Sequence, residues 1–350
     1  MRTYHIAVLP GDGVGPEVIG EAVKVLRAVE RRIEAIRFEL AWYPAGAGEY
    51  LRSGEALPAA TLQAVRRADA TLLGAMGLPE VRLPGGTEVT PQIDLREELD
   101  LYCGLRPVRL FHPQDSPLKS PGRIDFALVR ESTEGLFSAR RKPPEPGAHE
   151  ALDILRVTRR GSERLFRAAF ELARRRRRKL TLVDKANVLP SMAYFRAVFD
   201  TVAQEFPDVA TERIYVDAAA MYLIQRPESF DVLVTENMFG DVLSDLAAAL
   251  VGGMGMAPSA DLGDRHAVFQ PAHGSAPDIA GRGWANPTAA ILSAAMMLEW
   301  LGSEETKRAA EMIQRAVEQV YQDPTARTRE LGGELSTTEM GDRIVGALEA

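Results

Sequence analysis

A single cysteine, Cys103, leaves no partner for an intrachain disulfide, so the chain is expected in a reducing compartment. Histidine is scarce too, at five residues, which disfavours a histidine-rich metal centre. No apolar run is long enough to span a bilayer: LAAALVGGMGMA and AAILSAAMML are the longest, and the first is broken by Gly-Gly. MRTYHIAVLP enters a strand-like segment with no apolar targeting stretch, and a cytoplasmic protein without a membrane partner is expected. Excess positive charge is also missing. A net charge of −7 disfavours wholesale wrapping of nucleic acid.

What is present is ordinary for a globular chain of 350 residues, with 46% hydrophobic and 26% charged residues. That excludes disorder and suits two lobes or one large α/β unit. Strand-like runs alternate with helical patterns: HIAVL with PEVIGEAVKVLRAV, ATLLGA with PQIDLREELDLY, KLTLVD with PSMAYFRAVFDTVAQEF, RIYVD with AAAMYLI, FDVLVT with MFGDVLSDLAAAL. This order predicts helices over a parallel or mixed sheet. STTEMGDRIVGALE reads as a terminal helix opened by a Ser/Thr cap. Prolines and charges in RRKPPEPGAHE predict an exposed arm near 138–155. RRRRRK, residues 174–179, reads as the solvated, cationic end of a helix.

The turn VLPGDGVGPEV invites comparison with a dinucleotide fingerprint, which wants glycine at the first, third and sixth positions. Counting from Gly11, the sixth residue is Pro16, and counting from Gly13 it is Val18. The fingerprint fails, and a tight turn feeding a helix with proline in its first turn remains.

Three groups of residues carry chemistry. Asp241 and Asp245 are four apart on a predicted helix, so both carboxylates share a face, and Asp217 closes RIYVD. A hard divalent cation would offset the repulsion of such a pair, whereas a solvated acidic face is the plainer alternative. Arg96, Arg106 and Arg130 lie on a helix, the following strand and the end of IDFALV; singly each reads as structural, together they suit an acidic small molecule. Lys185 leaves a strand beside Asp184, as a general base or a surface ion pair. His273, Gly274, Ser275, Asp278 and Asn286 occupy a Gly/Pro-rich loop running into a helix.

LPGDGVGPEV, LREELDLYCGLRPVR, VDKANVLP, FGDVLSDLAAAL and HGSAPDIAGRGWANPTAAILSAAMMLEW, in that order, resemble the β-decarboxylating dehydrogenases: the isopropylmalate, isocitrate, homoisocitrate and tartrate/D-malate enzymes. The resemblance implies an α/β, isopropylmalate dehydrogenase-like fold, two domains sharing a mixed sheet, distinct from a Rossmann fold. Residues 1–98 with 252–350 would form the cofactor domain and 99–251 the dimerisation and metal/substrate domain. NAD would bind through His273, Gly274, Ser275, Ala276, Asp278, Ile279 and Asn286, with Asp278 on the adenosine ribose and repelling the extra phosphate of NADP. Arg96, Arg106 and Arg130 would hold the carboxylates of a hydroxy-dicarboxylate. Asp217, Asp241 and Asp245 would bind Mg²⁺ or Mn²⁺, and Lys185 and Asp217 would reach across a homodimer to serve as catalytic groups.

Two features depart from the family pattern. Phe137, in RESTEGLF, stands where the family carries the tyrosine that protonates the enolate. Water or Tyr222 substitutes, decarboxylation is slow or uncoupled, or the chain is a non-catalytic paralogue; intact Lys185 and aspartates favour a working enzyme. The specificity stretch Thr90, Gln92 and Ile93, with Val188, mixes polar and apolar character. RPVRLF and RESTEG lean toward tartrate or D-malate, KANVLP and TAAILSAAMMLEW toward 3-isopropylmalate, and isocitrate ranks third.

Overall fold

A computed structural model describes residues 1–140 and 147–349. Ten strands appear among these residues: β1 (Arg2–Leu9), β2 (Ile36–Trp42), β3 (Ala70–Leu73), β4 (Cys103–Arg109), β5 (Asp125–Glu131), β6 (Lys179–Asp184), β7 (Ala210–Tyr215), β8 (Val232–Thr235), β9 (Pro258–Leu262) and β10 (Ala267–Pro271). The helices are α1 (Gly15–Arg32), α2 (Ala47–Ser53), α3 (Ala59–Arg67), α4 (Pro91–Glu98), α5 (Arg159–Arg175), α6 (Pro190–Ala203), α7 (Val216–Gln225), α8 (Asn237–Ala249), α9 (Thr288–Leu301), α10 (Glu304–Gln322) and α11 (Thr337–Glu349).

All ten strands join one sheet in the order β2-β1-β3-β10-β9-β4-β5-β8-β6-β7. The two ends are parallel, and the middle is antiparallel across β10/β9, β9/β4 and β4/β5. The sheet is therefore mixed. β3 and β8 are buried at every residue, the continuous apolar signature of strands covered on both faces.

Four of the five apolar clusters among the described residues cover the sheet, two on each face. On one face α1, α9, α10 and α11 pack over Val8, Leu72 and Phe269, while α5 and α6 pack over Leu180, Leu182 and Val234. Helix α5 earns its place by placing Leu165, Phe166, Ala169, Phe170 and Ala173 on one stripe. Phe170 stacks on Phe206 with ring centroids 4.7 Å apart, and Phe166 meets Phe195 at 4.6 Å. The opposite face holds a cluster with Leu95 of α4 and one with Leu243 and Ala247 of α8. Between the paired clusters lie the central strands β9, β4 and β5, whose side chains toward α4 and α8 are buried, while Leu105 and Leu262 on the other face are only partly covered.

Three expectations change. Asp217 does not end a strand: β7 stops at Tyr215 and Asp217 lies in the first turn of α7, where an acid is favoured by the helix dipole. The arginine run is not simply solvated. Arg176 binds Asp125 at 2.8 Å and Asp231 at 2.9 Å, and Arg174 binds Asp208 at 2.6 Å, so it clamps the α5 end to three carboxylates. Of the expected arm, 141–146 lie outside the described residues; its flanks meet where Gly135 N–H donates to Arg156 carbonyl at 2.9 Å, and Leu152 and Ile154 are exposed.

Candidate active site

Strand register decides which side chains meet. Arg106 pairs with Leu128, Gly104 with Arg130, and Gly104 with Asp261. Alternation along each strand therefore puts Arg106, Arg130 and Asp261 on one face of the sheet. Arg96, near the end of α4, reaches the same floor: its Nε donates to Asp261 at 3.0 Å, and Gln270 Nε2 donates to the same carboxylate oxygen at 2.8 Å. Arg130, 1% exposed, directs Nε and Nη2 onto Asn237 Oδ1 at 2.9 and 2.7 Å and Nη1 onto Asp241. Arg106, also buried, has an Nε with no acceptor among the described residues.

Burying three guanidinium groups together is costly unless anions compensate. Burial, and then Arg96, push Arg130 down to about 10, and burial lowers Arg106 as well. Asp261 and Asp241 supply part of the compensation. The remaining donors, above all those of Arg106, face a place suited to a small carboxylate ligand.

Helix α8 presents Asp241 and Asp245 on this side, as their spacing predicted. The Asp245 carboxyl is raised, by desolvation first and by Asp241 second, as expected where two acids share a site that a cation would relieve. Asp217 is elsewhere. It accepts from Lys185 Nζ at 2.8 Å, which holds its carboxyl below the usual range. Among the described residues no three metal-ligating side chains converge. The residues thus fit a divalent ion in part: α8 offers two oxygen ligands, and Asp217 is held by Lys185 away from them.

Phe137 lies in a 3-10 turn, Leu136–Ala139, with its ring under the Arg130 guanidinium at 5.2 Å. Tyr222 is on α7 with Arg226 stacked on its ring at 3.9 Å. Thr90, Gln92 and Ile93 are half-buried at the start of α4, and Gln92 Oε1 is shielded without a partner. Val188 follows β6 and is 64% exposed.

The opening glycine turn is occupied by protein. Gly11 and Gly13 have φ of 78° and 57°, and a Cβ at these positions would fall 2.0 Å from Ala75 O and 1.9 Å from Ser275 O. Asp12 and Val14 N–H groups donate to those carbonyls at 2.8 Å, while the Asp12 carboxylate accepts from Ala47, Gly48 and Gly77. These amides are spent on loop packing and are not free to cradle a phosphate.

The loop bearing the expected cofactor residues joins that assembly through Ser275, whose Oγ donates to Gly77 O. His273 shares Nδ1 with Gly274 O at 2.9 Å, its Nε2 is shielded and unpartnered, and burial lowers its pKa so that the ring is neutral near pH 7. Ala276 adopts φ of 38°; Gly274 and Asp278 are exposed, and Ile279 packs on the α1/α9 core. An open loop with exposed Asp278 and an unused imidazole nitrogen fits a dinucleotide. Asn286 turns inward instead, donating to Glu330 at 3.3 Å and accepting from Thr288 N–H at 3.1 Å.

Sequence reasoning passed over Asp12, Asp261, Asn237 and Glu236. Glu236 is 2% exposed, caps α8 through Phe239 N–H, and leaves Oε2 unpartnered beside Gly135. For Asn237 and Glu236 the available signal was their place where β8 ends and a helix begins. Asp261 gave none, lying in a short strand of mixed character.

No helix among the described residues is long and apolar enough to cross a membrane. The family description "Isocitrate/isopropylmalate dehydrogenase" matches residues 5–344. The chain is 46% identical to a 3-isopropylmalate dehydrogenase of Corynebacterium glutamicum, over 99% of both chains. It is 42% identical to one of Aquifex aeolicus, over 100% of this chain and 98% of that one. Among solved structures, an isocitrate dehydrogenase from Methylococcus capsulatus superposes with a TM-score of 0.89 at 37% identity, covering 99% of this chain and 100% of that one. A β-decarboxylating dehydrogenase from Thermococcus kodakarensis gives 0.81 at 37% identity, covering 99% and 96%. A ten-stranded mixed sheet, a buried arginine floor and matches along nearly the whole length agree: the chain belongs to the isocitrate/isopropylmalate dehydrogenase family of oxidative decarboxylating dehydrogenases.

Proposed function

We propose that the protein oxidises and decarboxylates a 3-substituted malate, 3-isopropylmalate above others, using NAD and Mg²⁺ or Mn²⁺. The carrying observation is the buried floor of Arg96, Arg106 and Arg130, where Arg106 Nε has no acceptor among the described residues. The relatives named 3-isopropylmalate dehydrogenase support the substrate, as does Ile93 beside the half-buried start of α4.

In this reading the three arginines bind and orient the two carboxylates. Asp241 and Asp245, with Asp217 of a second copy, would hold the divalent ion, and His273, Ser275 and Asp278 would hold NAD. When bound, these groups supply a hydride acceptor at the nicotinamide and a Lewis acid that acidifies the substrate hydroxyl. Lys185, as the neutral amine, would take the hydroxyl proton and become the ammonium, and Asp217, in contact with Nζ, holds that end in place before and after the transfer. The burial of Arg106 and Arg130 makes their attraction for the carboxylates strong, because little water competes. Phe137 covers Arg130 but cannot give a proton to the carbon left after CO₂ departs.

One assay tests this: NADH and CO₂ followed together with Mn²⁺ across 3-isopropylmalate, D-malate, tartrate and isocitrate. Preference for 3-isopropylmalate with matched products supports the proposal; silence, or preference for isocitrate, overturns it. Phe137 under Arg130 favours a second reading, in which oxidation outruns decarboxylation, and NADH exceeding CO₂ would select it.

A further inference from the structure

The face of the sheet away from the arginine floor is only partly covered at its centre. Leu105 lies between Arg106 and Gly104 on β4 and pairs with Ala260 and Val129, so these side chains point away from the arginine floor. There a groove of about 600 Å³ runs between α5 and α9, within the size range of small-molecule sites. Its floor is Leu105, Ala260 and Leu262; its walls are Leu172 on α5 and Met296 and Trp300 on α9. Leu105 and Leu262 each touch both apolar clusters of this face and are only partly covered by either.

The charges on its rims are unequal in their partners. Arg109 is paired with Glu318 at 2.6 Å, and Arg176 with Asp125 at 2.8 Å. Arg175, the last residue of α5, and Glu299, near the end of α9, line the same groove, and among the described residues neither side chain has an ion-pair or hydrogen-bond partner. A free cation on one wall, a free anion on the other and an apolar floor between them match one kind of molecule. We propose that this groove binds a small zwitterion with an apolar body, of the class of apolar α-amino acids, with its carboxylate at Arg175 and its ammonium at Glu299.

The complementarity excludes simpler ligands. An apolar monocarboxylate satisfies Arg175 but meets Glu299 as a like charge, and an apolar amine does the reverse. The groove is separate from the dehydrogenase chemistry, since none of its lining residues belongs to the arginine floor, the α8 acids or the His273 loop. It is nevertheless one strand thick from that chemistry. A ligand bridging α5 and α9 ties together helices of different clusters and presses on β4, whose next side chain is Arg106.

Titration calorimetry on the full chain, with no substrate, NAD or metal, reads the site independently of the proposed reaction. The probes are L-norleucine and L-phenylalanine, then hexanoate, which lacks the ammonium, and norleucinamide, which lacks the carboxylate. L-norleucine is expected to saturate, with both truncated probes at least about tenfold weaker. Arg175→Ala should weaken L-norleucine by a similar factor and leave norleucinamide unchanged; Glu299→Ala should weaken L-norleucine likewise and leave hexanoate no weaker. Both residues are exposed at helix ends, so these variants fold. Equal binding of either truncated probe, or no saturable binding of either amino acid at millimolar concentration, overturns the proposal and leaves the groove as a gap between helix layers.

Discussion

Lys185 Nζ and Asp217 Oδ1 stand 2.8 Å apart within one chain, whereas Asp241 contacts Arg130 and Asp245 feels Arg106 and Arg130. The proposed active site needs both groups together, and the proposal has a second copy bring the Lys185/Asp217 pair to the α8 acids of the first. Mixing inactive Lys185→Ala and Asp241→Ala chains tests this. In a two-fold dimer with shared sites, half the dimers are hybrids and each hybrid regains one intact site, so about a quarter of wild-type activity should return. No recovery after subunit exchange would place the whole site in one chain.

Arg96 and Arg106 should separate stability from binding. Arg96→Ala strands Asp261, which is 1% exposed and keeps only Gln270 as a close donor, and should cost about 3–5 kcal/mol in thermal or denaturant unfolding. Arg106→Met removes a buried cation whose Nε has no acceptor, replacing it with apolar volume. Its stability should hold or rise while KM for the dicarboxylate rises at least about tenfold.

The alternation of strands and helices was legible because β1, β3, β6 and β8 are buried runs followed by amphipathic or apolar helices. β9 and β10 were not, since PSADL and AVFQP are five residues each and carry a proline at one end. Yet these strands carry Asp261 and Gln270, so the anion that neutralises Arg96 was invisible. The Asp241/Asp245 spacing was readable because helical periodicity alone fixes it. That Asp217 lies apart from them is a long-range fact, set by where α7 docks, and no local pattern encodes it.

Phe137→Tyr should restore a proton donor beside Arg130. The ring sits half-buried in an open turn, so a hydroxyl adds little strain. General acid catalysis contributes on the order of 10²–10⁴-fold, and CO₂ release should gain part of that range while NADH formation changes little. Equal CO₂ rates for both proteins would show that another group already supplies the proton.

Gly13 and Gly20 should respond oppositely to alanine. Gly13 has φ of 57° and no room for Cβ beside Ser275 O, so Gly13→Ala should cost more than about 2 kcal/mol and weaken NAD binding through the displaced loop. Gly20 lies inside α1 with nothing within 4 Å of a new Cβ, and Gly20→Ala should stabilise by up to about 1 kcal/mol. Thermal unfolding with and without NAD reads both effects, and a neutral Gly13→Ala would sink the packing account of the opening turn.

Glu236 supplies a stability signature with a definite sign. Burial raises its carboxyl above the ordinary glutamate range, against the opposing N–H groups of Phe239 and Met238. The folded state then holds a proton that the unfolded chain gives up at lower pH. Its contribution is fully present below the unfolded pKa and is lost as pH rises through the folded one. Glu236→Gln keeps an oxygen to cap Phe239 N–H but cannot titrate. The stability difference, variant minus wild type, should therefore increase as pH rises from about 4.5 toward neutrality, and any constant offset from the new amide cancels in that slope. Unfolding midpoints measured in denaturant across this range decide the matter: a flat difference would mean that Glu236 is ionised in the fold, with Arg130 close enough to hold its charge.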